Sequence, residues 1–217
     1  MRVSTLSIVN CSLFIAALLS AAVAAHPGAV DRAGCHTQAA TGKRHCHPDR
    51  ATDASRYDAA RPPKPGDEGV FYGPFVSISD GDTFRAKVQG VVMEFRLADV
   101  DAPEMDQPFG REARAVLKSL IEGKQLVLVF VDVDRYGRVI TDVWIDDLYV
   151  NRELARRGAV WFYPQYARNN ALFDIEEEAR DAKRGLWALP SSQRVEPWVW
   201  RERKREAAEG RSKKERE

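Results

Sequence analysis

The sequence lacks an excess of positive charge. Its 217 residues include 33 lysines and arginines against 32 aspartates and glutamates, a formal net charge of +1. The last seventeen residues alone carry a net +3, so residues 1–200 sum to −2. This balance excludes a broad basic face as the source of affinity for a polyanion. Any binding of phosphate groups has to come from a cation and a few well-placed arginines.

The sequence also lacks an apolar run long enough to span a membrane comfortably. The stretch Ile8–Leu19 is interrupted by Asn10 and Ser12, and small residues follow it at positions 22–24. A spanning helix needs about 20 apolar residues, so a cleaved export signal is favoured over an anchor. We expect residues 1–24 to be removed and the mature chain to be secreted or periplasmic, without membrane attachment.

Cysteines are scarce, and two of the three remain after the predicted cleavage. Cys35 and Cys46 lie with His36, His45 and His47 in one short segment. Two cysteines can pair in an oxidising compartment, whereas thiolate and imidazole ligands at this density can also bind Zn²⁺. Export favours a Cys35–Cys46 disulfide, and a zinc site is kept as the alternative.

Composition divides the remaining chain into three parts. Residues 25–69 combine the Cys/His segment with a proline-rich linker and show no apolar periodicity. Residues 70–190 carry regular apolar patterns and suffice for one hydrophobic core. Residues 191–217 hold a tryptophan-containing segment and a highly charged tail, which we expect to be disordered after residue 200.

The patterns in residues 70–190 predict a β-rich α+β domain. Short apolar segments bounded by turn residues predict strands over Phe71–Ile78, Thr83–Val88, Val91–Ala98, Leu126–Val131 and Val139–Ile145, and in the third of them Met93, Phe95 and Leu97 alternate with Glu94 and Arg96. Apolar stripes predict helices over Gly110–Glu122, over Val150–Arg157 and after a cap at Asn169 or Asn170. Five strands with a helix after the third match an OB-fold five-stranded Greek-key barrel with three helices.

Five polar residues near the predicted strand ends supply the groups that cleavage of a phosphodiester needs: Asp82, Arg96, Asp101, Glu104 and Arg138. Carboxylates hold a hard cation, a further carboxylate can activate water, and guanidinium groups bind phosphate in a bidentate manner. Taken singly, each residue is better explained as part of a turn or a solvated surface. Only the five together point to catalysis.

A series of motifs surrounds these residues: Asp80-Gly81-Asp82-Thr83, Phe95-Arg96-Leu97, Val100-Asp101-Ala102-Pro103-Glu104, Asp134-Arg135-Tyr136-Gly137-Arg138, Asn151-Arg152-Glu153-Leu154-Ala155-Arg156-Arg157-Gly158 and Ala182-Lys183-Arg184-Gly185-Leu186-Trp187. Each motif is weak alone, but their order and spacing are specific. Together they resemble the staphylococcal nuclease (thermonuclease) family in its exported bacterial type. The later segment Pro197-Trp198-Val199-Trp200-Arg201 resembles a segment that follows this domain in exported bacterial relatives, and we expect it to pack against the barrel.

The resemblance implies a calcium-dependent nuclease. Asp82 and Asp101 match the two carboxylate ligands of the family, and the backbone carbonyl of Ala102 matches a third ligand. Many members have threonine at that last position, but a carbonyl ligand does not need the hydroxyl group. Such a set of oxygen ligands is what Ca²⁺ prefers.

The resemblance also assigns the catalytic groups. Glu104 matches the residue usually given as the general base, and orienting the attacking water is the alternative role. Arg96 and Arg138 match the two arginines on the phosphate, which stabilise charge that develops during the reaction. In-line attack at phosphorus and departure of the 5′ oxygen would leave a 3′-phosphate end.

Further positions carry over from the family. Asp80 is expected beside the cation without binding it, and Tyr136 and Tyr166 match positions that contact the nucleotide. The match around Tyr166 is loose, so Tyr163 is the alternative second tyrosine. The implied substrates are DNA and RNA, read with little sequence preference by a monomer that has no stable protein partner.

Two other functions stay open at the level of the sequence. One is an inactive OB-type module that binds nucleic acid or protein. Such modules typically lose a carboxylate or an arginine, and this chain keeps all five groups. The other is metal capture by the Cys/His segment, with the barrel as a scaffold.

Overall fold

The computed structural model describes residues 62–64, 66–168 and 171–214, and the backbone of two short segments before them. Those segments, β1 (Cys35–Thr37) and β2 (Arg44–Cys46), pair as an antiparallel ribbon. The predicted signal at residues 1–24 and the predicted helix cap at Asn169 or Asn170 lie outside the described residues.

The larger part of the chain contains eight further strands, named in chain order: β3 (Val70–Ile78), β4 (Thr83–Val88), β5 (Val91–Leu97), β6 (Val100–Asp101), β7 (Gln125–Val133), β8 (Val139–Ile145), β9 (Leu148–Tyr149) and β10 (Trp161–Phe162). The sheet runs in the order β5-β4-β3-β7-β8, and β5 also pairs in parallel with β8. These pairings close a five-stranded barrel, which confirms the OB-fold prediction. The five barrel strands begin and end within one or two residues of the predicted bounds.

Alternation along the barrel strands builds the core. Phe84 of β4 and Phe95 of β5 are partners across the sheet, and their rings stack at 5.7 Å. Leu97 is buried next to them, whereas the intervening Arg96 faces the other way. The inward positions therefore form the apolar core and leave Arg96 for the polar site.

The described residues form four α-helices: α1 (Gly110–Ile121), α2 (Val150–Arg156), α3 (Ala171–Asp181) and α4 (Pro197–Lys214). The stripe predicted for α1 is buried at Ala113, Leu117 and Ile121. None of the four helices is long and apolar enough to cross a lipid bilayer.

The fourth helix corrects the expectation of a disordered tail after residue 200, since α4 continues to Lys214. Its first two turns are held by tertiary contacts: Trp198 lies against Trp161, with ring centroids 6.3 Å apart, and stacks on Tyr163 at 5.1 Å. This packing confirms that the Pro197–Arg201 segment lies on the domain. A local pattern of charges does not reveal such anchors.

A short ribbon of two-residue strands, which the sequence patterns did not indicate, fixes the segment that carries Asp101. Strand β10 pairs antiparallel with β6, so Trp161 is opposite Asp101. Trp161 in turn packs edge-on against the buried Trp187 at 4.5 Å. The backbone of Asp101 is thereby tied to a small second core of Trp161, Ala179, Leu186 and Trp187, of which the last two belong to the family-like motif at residues 182–187.

The start of α1 constrains the loop that carries Glu104. A Cβ atom at Gly110 would lie 1.8 Å from the carbonyl oxygen of Glu104. Backbone atoms cannot yield as a flexible side chain does, so we expect Gly110→Ala to lower the free energy of unfolding by about 3 kcal/mol. Urea unfolding followed by tryptophan fluorescence measures this loss.

Gly210→Ala is the matched control for Gly110→Ala. Gly210 also lies in a helix, but nothing lies within 4 Å of a Cβ atom built there. Alanine in an exposed helix is favoured over glycine by about 1 kcal/mol, so this variant should be no less stable than the parent. Equal stabilities for the two variants would contradict the close approach at Gly110.

Candidate active site

Arg96 joins two buried carboxylates. Thr83 and Arg96 are partners across β4 and β5, which brings Asp82, the residue before Thr83, beside the guanidinium group. Nη1 of Arg96 donates to Oδ1 of Asp82 at 2.5 Å, and Nη2 donates to Oδ1 of Asp101 at 2.7 Å. The structure thus unites three of the five sequence-predicted residues in one cluster.

Both acidic loops approach each other closely at this cluster. The backbone N–H of Ala102 donates to Oδ2 of Asp82 at 2.8 Å, and the Thr83 hydroxyl donates to Oδ1 at 2.8 Å. A Cβ atom at Gly81 would lie 2.7 Å from the Cβ of Ala102. The contact therefore requires glycine at position 81 and leaves little room for a larger side chain facing it.

The cluster holds more negative charge than its arginines neutralise. Burial, together with the charge of Asp82, raises the pKa of Asp80 to about 7. Burial also disfavours ionised Asp82, but Arg96 and the hydrogen bonds from Ala102 and Thr83 outweigh it, so the pKa of Asp82 is lowered. Asp80 lies beside Asp82, and its Oδ1 accepts the backbone N–H of Asp82 at 3.0 Å.

Glu104 extends the acidic cluster towards solvent. Its side chain is 35% exposed, and a turn through Gln107 holds its backbone. Oε1 of Gln107 accepts the Glu104 N–H at 3.1 Å, while its Nε2 donates to the carbonyl of Val195 at 2.5 Å. Gln107, which sequence reasoning missed, therefore ties the Glu104 loop to the segment that leads into α4.

Arg138 occupies the turn before β8 and is held differently from Arg96. Its Nε donates to Oδ2 of Asp134 at 2.7 Å, and its guanidinium carbon lies 5.5 Å from the centre of the Tyr136 ring. Among the described residues no hydrogen bond or ion pair joins Arg138 to Asp82, Asp101 or Glu104. Within the described residues neither Nη group of Arg138 takes part in a hydrogen bond, so both are available to an oxyanion.

The predicted nucleotide-contacting tyrosines are exposed. Tyr136 is 69% and Tyr166 65% exposed, and both rings are thus accessible to a base or a sugar. Tyr163, the alternative to Tyr166, lies against it at 5.0 Å but also stacks on Trp198. Of the two, Tyr166 has the freer surface.

Helix α4 contributes an arginine that sequence reasoning did not assign. Nη2 of Arg201 donates to Oδ2 of Asp101 at 2.7 Å, and its Nη1 donates to Oε1 of Glu104 at 2.8 Å. Arg201 comes three residues after the packed Trp198, a spacing that places both on one helix face. That spacing is the signal from which its position could have been inferred.

A buried polar network supports the segment before Asp101. Arg168 binds both Asp99 and Asp142, with Nη2 3.0 Å from Oδ2 of Asp99 and 3.1 Å from Oδ1 of Asp142. The fully buried Asn151 donates to the carbonyl of Ala98 at 3.1 Å. These bonds satisfy polar groups that would otherwise be costly to bury, and they fix the backbone between β5 and β6.

The donor set suits a hard cation. Asp82 and Asp101 offer buried carboxylate oxygens and Ala102 offers a carbonyl, which are the hard oxygen donors that Ca²⁺ prefers. In the part of the chain that the structure describes, no three acidic, histidine or cysteine side chains are arranged to hold one ion. Arg96 bonds Asp82 and Asp101, and Arg201 bonds Asp101 and Glu104, so guanidinium groups occupy the space between these carboxylates.

In the Cys/His segment the structure describes backbone only. Cys35 and Cys46 are Cα partners across β1 and β2, and His36 and His45 form the next pair. His47 lies outside the described residues. The disulfide and the alternative zinc site both stay predictions.

Comparison with known proteins gives a consistent result. The family model described as "Staphylococcal nuclease homologue" matches residues 94–189. An "Uncharacterized endonuclease" of Escherichia coli is 39% identical over 134 residues, which are 61% of this chain and 86% of that protein. A "Micrococcal nuclease" of Shigella flexneri is 36% identical over 142 residues, covering 60% of this chain and 80% of that protein. A "Probable staphylococcal-like nuclease CAN1" of Oryza sativa is 37% identical over 110 residues, only 33% of its length.

Arg96→Gln tests whether the two carboxylates depend on one guanidinium. Removing it leaves Asp82 and Asp101 buried with one positive partner fewer, so we expect the free energy of unfolding in the presence of chelator to fall by about 3–5 kcal/mol. Urea denaturation at neutral pH measures the change.

Arg85→Gln is the control for Arg96→Gln on the adjacent strand. Arg85 pairs with Glu94 at 3.7 Å, and its side chain is 55% exposed. A surface pair of this kind contributes about 1 kcal/mol or less. Losses of similar size in the two variants would show that Arg96 is not needed to neutralise the buried pair.

Proposed function

The chain belongs to the staphylococcal nuclease family, and from this membership we propose that it is a calcium-dependent nuclease. It hydrolyses phosphodiester bonds of DNA and of RNA with little sequence preference and leaves 3′-phosphate ends. Family membership rests on the relatives that are more than 30% identical over most of their own length. The nuclease activity rests on the same relatives and on the family model.

The observation that carries the proposal is the joining of Asp82 and Asp101 by Arg96 at one end of the barrel strands. Two carboxylates that are buried to this degree, with a protonatable Asp80 beside them, form a site that a dication would complete. Asp82, Asp101 and the Ala102 carbonyl are the groups proposed to hold Ca²⁺. When bound, the ion supplies positive charge that polarises the phosphoryl group and offsets the developing negative charge.

Glu104 is proposed to act on the attacking water. Its carboxylate is partly exposed, unlike the buried Asp82 and Asp101, so a water molecule and a phosphate can approach it. A carboxylate in this position either accepts a proton from the water or aligns the water for attack. Both roles need the ionised side chain, which an amide does not replace.

The two arginines are proposed to bind the phosphate from different elements. Arg96 comes from β5 and Arg138 from the turn before β8, and these strands pair in parallel, with Arg96 opposite Ile140. Arg138 uses Nε for Asp134, so its two Nη groups can form a bidentate contact with phosphate oxygens. Guanidinium groups in a phosphate site stabilise charge that increases in the transition state.

The exposed tyrosines fit a substrate that is recognised through its backbone. Contacts to phosphate carry no base information, and ring stacking tolerates every base. We propose this role for Tyr136 and Tyr166, and it suits a substrate that is either DNA or RNA. From the predicted export signal we propose that the enzyme works outside the cytoplasm, secreted or periplasmic. We also propose that it acts as a monomer without a stable protein partner.

A gel assay tests the proposal. Plasmid DNA and RNA should be degraded with Ca²⁺ and left intact with chelator, and a parallel Mg²⁺ series measures the tolerance for other ions. Glu104→Gln and Arg138→Ala should each lower the turnover by about two orders of magnitude or more. Circular dichroism should show that both variants keep the fold.

Glu122→Gln and Arg85→Gln are the matched controls for this assay. Both side chains are exposed, and within the described residues each forms a surface ion pair, with Lys118 and Glu94 respectively. Their variants make the same changes of charge and should retain the parent activity. Full activity of Glu104→Gln would refute its assigned role, and no cleavage by the parent with any divalent ion would favour an inactive binding module.

A further inference from the structure

Helix α4 is fastened directly over the acidic cluster. Trp198 stacks on Tyr163 with an interplanar angle of 8°. Two residues later, Nε1 of Trp200 donates to Oδ1 of Asp106 at 3.2 Å, and Lys204 pairs with the same carboxylate at 2.5 Å. Arg201 lies between these anchors and is therefore aimed at the site by contacts on both sides.

Arg201 uses the oxygens that a cation would need. Both Oδ atoms of Asp101 accept from it, at 3.2 Å and 2.7 Å, and Oε1 of Glu104 accepts at 2.8 Å. Oδ1 of Asp101 also accepts from Arg96 at 2.7 Å. Each carboxylate oxygen of Asp101 is thus bonded to a guanidinium group, and the 1% exposure of this side chain leaves no other face open.

We propose that Arg201 is an internal competitor of the cation: it lowers the affinity of the site for Ca²⁺, and binding of Ca²⁺ withdraws Arg201 from Asp101 and loosens α4. This inference rests on the proposed function, because it takes Asp101 as a ligand of Ca²⁺. A guanidinium group and a dication repel each other and cannot share the same oxygen of a buried carboxylate.

We expect Arg201, and not Arg96, to leave Asp101 when Ca²⁺ binds. Arg96 belongs to a central barrel strand, bridges two carboxylates and is 13% exposed, whereas the Arg201 side chain is 37% exposed. Residues 202–211 of α4 are all exposed, so only the first turns of the helix are docked. Loosening these turns disturbs little of the core, while moving Arg96 would disrupt the barrel.

Calcium affinity, measured by titration calorimetry on the full chain without substrate, tests the competition. We expect Arg201→Gln to bind Ca²⁺ about tenfold more tightly than the parent or better, the scale of one charge-assisted hydrogen bond. Arg203→Gln removes the same charge from an exposed position two residues away and should bind as the parent does.

Trp198→Ala separates competition from a simple effect of charge. This variant keeps every charge but loses the stacking that docks α4. If Arg201 competes for the carboxylate oxygens, Trp198→Ala should bind Ca²⁺ more tightly than the parent. If Arg201 acts only through the long-range electrostatic repulsion of its charge, the affinity for Ca²⁺ should not change. Hydrogen exchange supplies a second readout. Amides of residues 198–205 should exchange faster when Ca²⁺ is added to the parent protein.

The possible results are distinct. Equal or weaker binding of Ca²⁺ by Arg201→Gln, or greater protection of α4 on adding Ca²⁺, would overturn the competition and leave the proposed nuclease function standing. No binding of Ca²⁺ by the parent, by Arg201→Gln or by Trp198→Ala, together with no cleavage of DNA, would overturn both the competition and the proposed nuclease function. Tighter binding by Arg201→Gln and by Trp198→Ala supports the competition independently of any activity.

Discussion

The site depends on one electrostatic constraint, the burial of Asp82 and Asp101 within reach of the same guanidinium group. Two carboxylates removed from water cost several kcal/mol unless positive charge and hydrogen bonds compensate them. Arg96 supplies that charge from β5, and Thr83 and Ala102 supply the hydrogen bonds. Closure of the barrel brings these elements together, so the fold and the site are stabilised by the same contacts.

The need to compensate the buried Asp82 and Asp101 also explains why a second arginine lies beside them. Arg96 alone, with one positive charge, does not balance the two carboxylates of Asp82 and Asp101 that it joins. Arg201 reaches in from α4 to bind Asp101 and Glu104, and the charged helix is docked where it supplies missing positive charge. In the proposed mechanism a calcium ion supplies positive charge to the same carboxylates. The ion and Arg201 of α4 are therefore alternative sources of positive charge for them.

Local sequence patterns predicted the barrel well because its strands are short apolar segments bounded by turn residues, and because β5 alternates between apolar and polar residues, as Phe95, Arg96 and Leu97 do. Those patterns, with the family-like motifs, also indicated Asp82 and Asp101, which the structure joins through Arg96. The β6–β10 ribbon was missed because strands of two residues have no periodicity. The helical tail was missed because it is ordered by contacts of Trp198 and Arg201 with residues far away in the sequence. The local pattern of charges in residues 201–217 carries no information about such contacts.

The most direct measurement is the free energy of unfolding of the full chain as a function of free Ca²⁺, for the parent and for Asp101→Asn. A ligand that binds only the folded state stabilises it by about 2.7 kcal/mol at one hundred times its dissociation constant. The parent should show this rise with Ca²⁺, and Asp101→Asn should lose most of it because one ligand has lost its charge. Equal stabilisation of the two proteins, or none of the parent, would contradict a calcium site at these carboxylates.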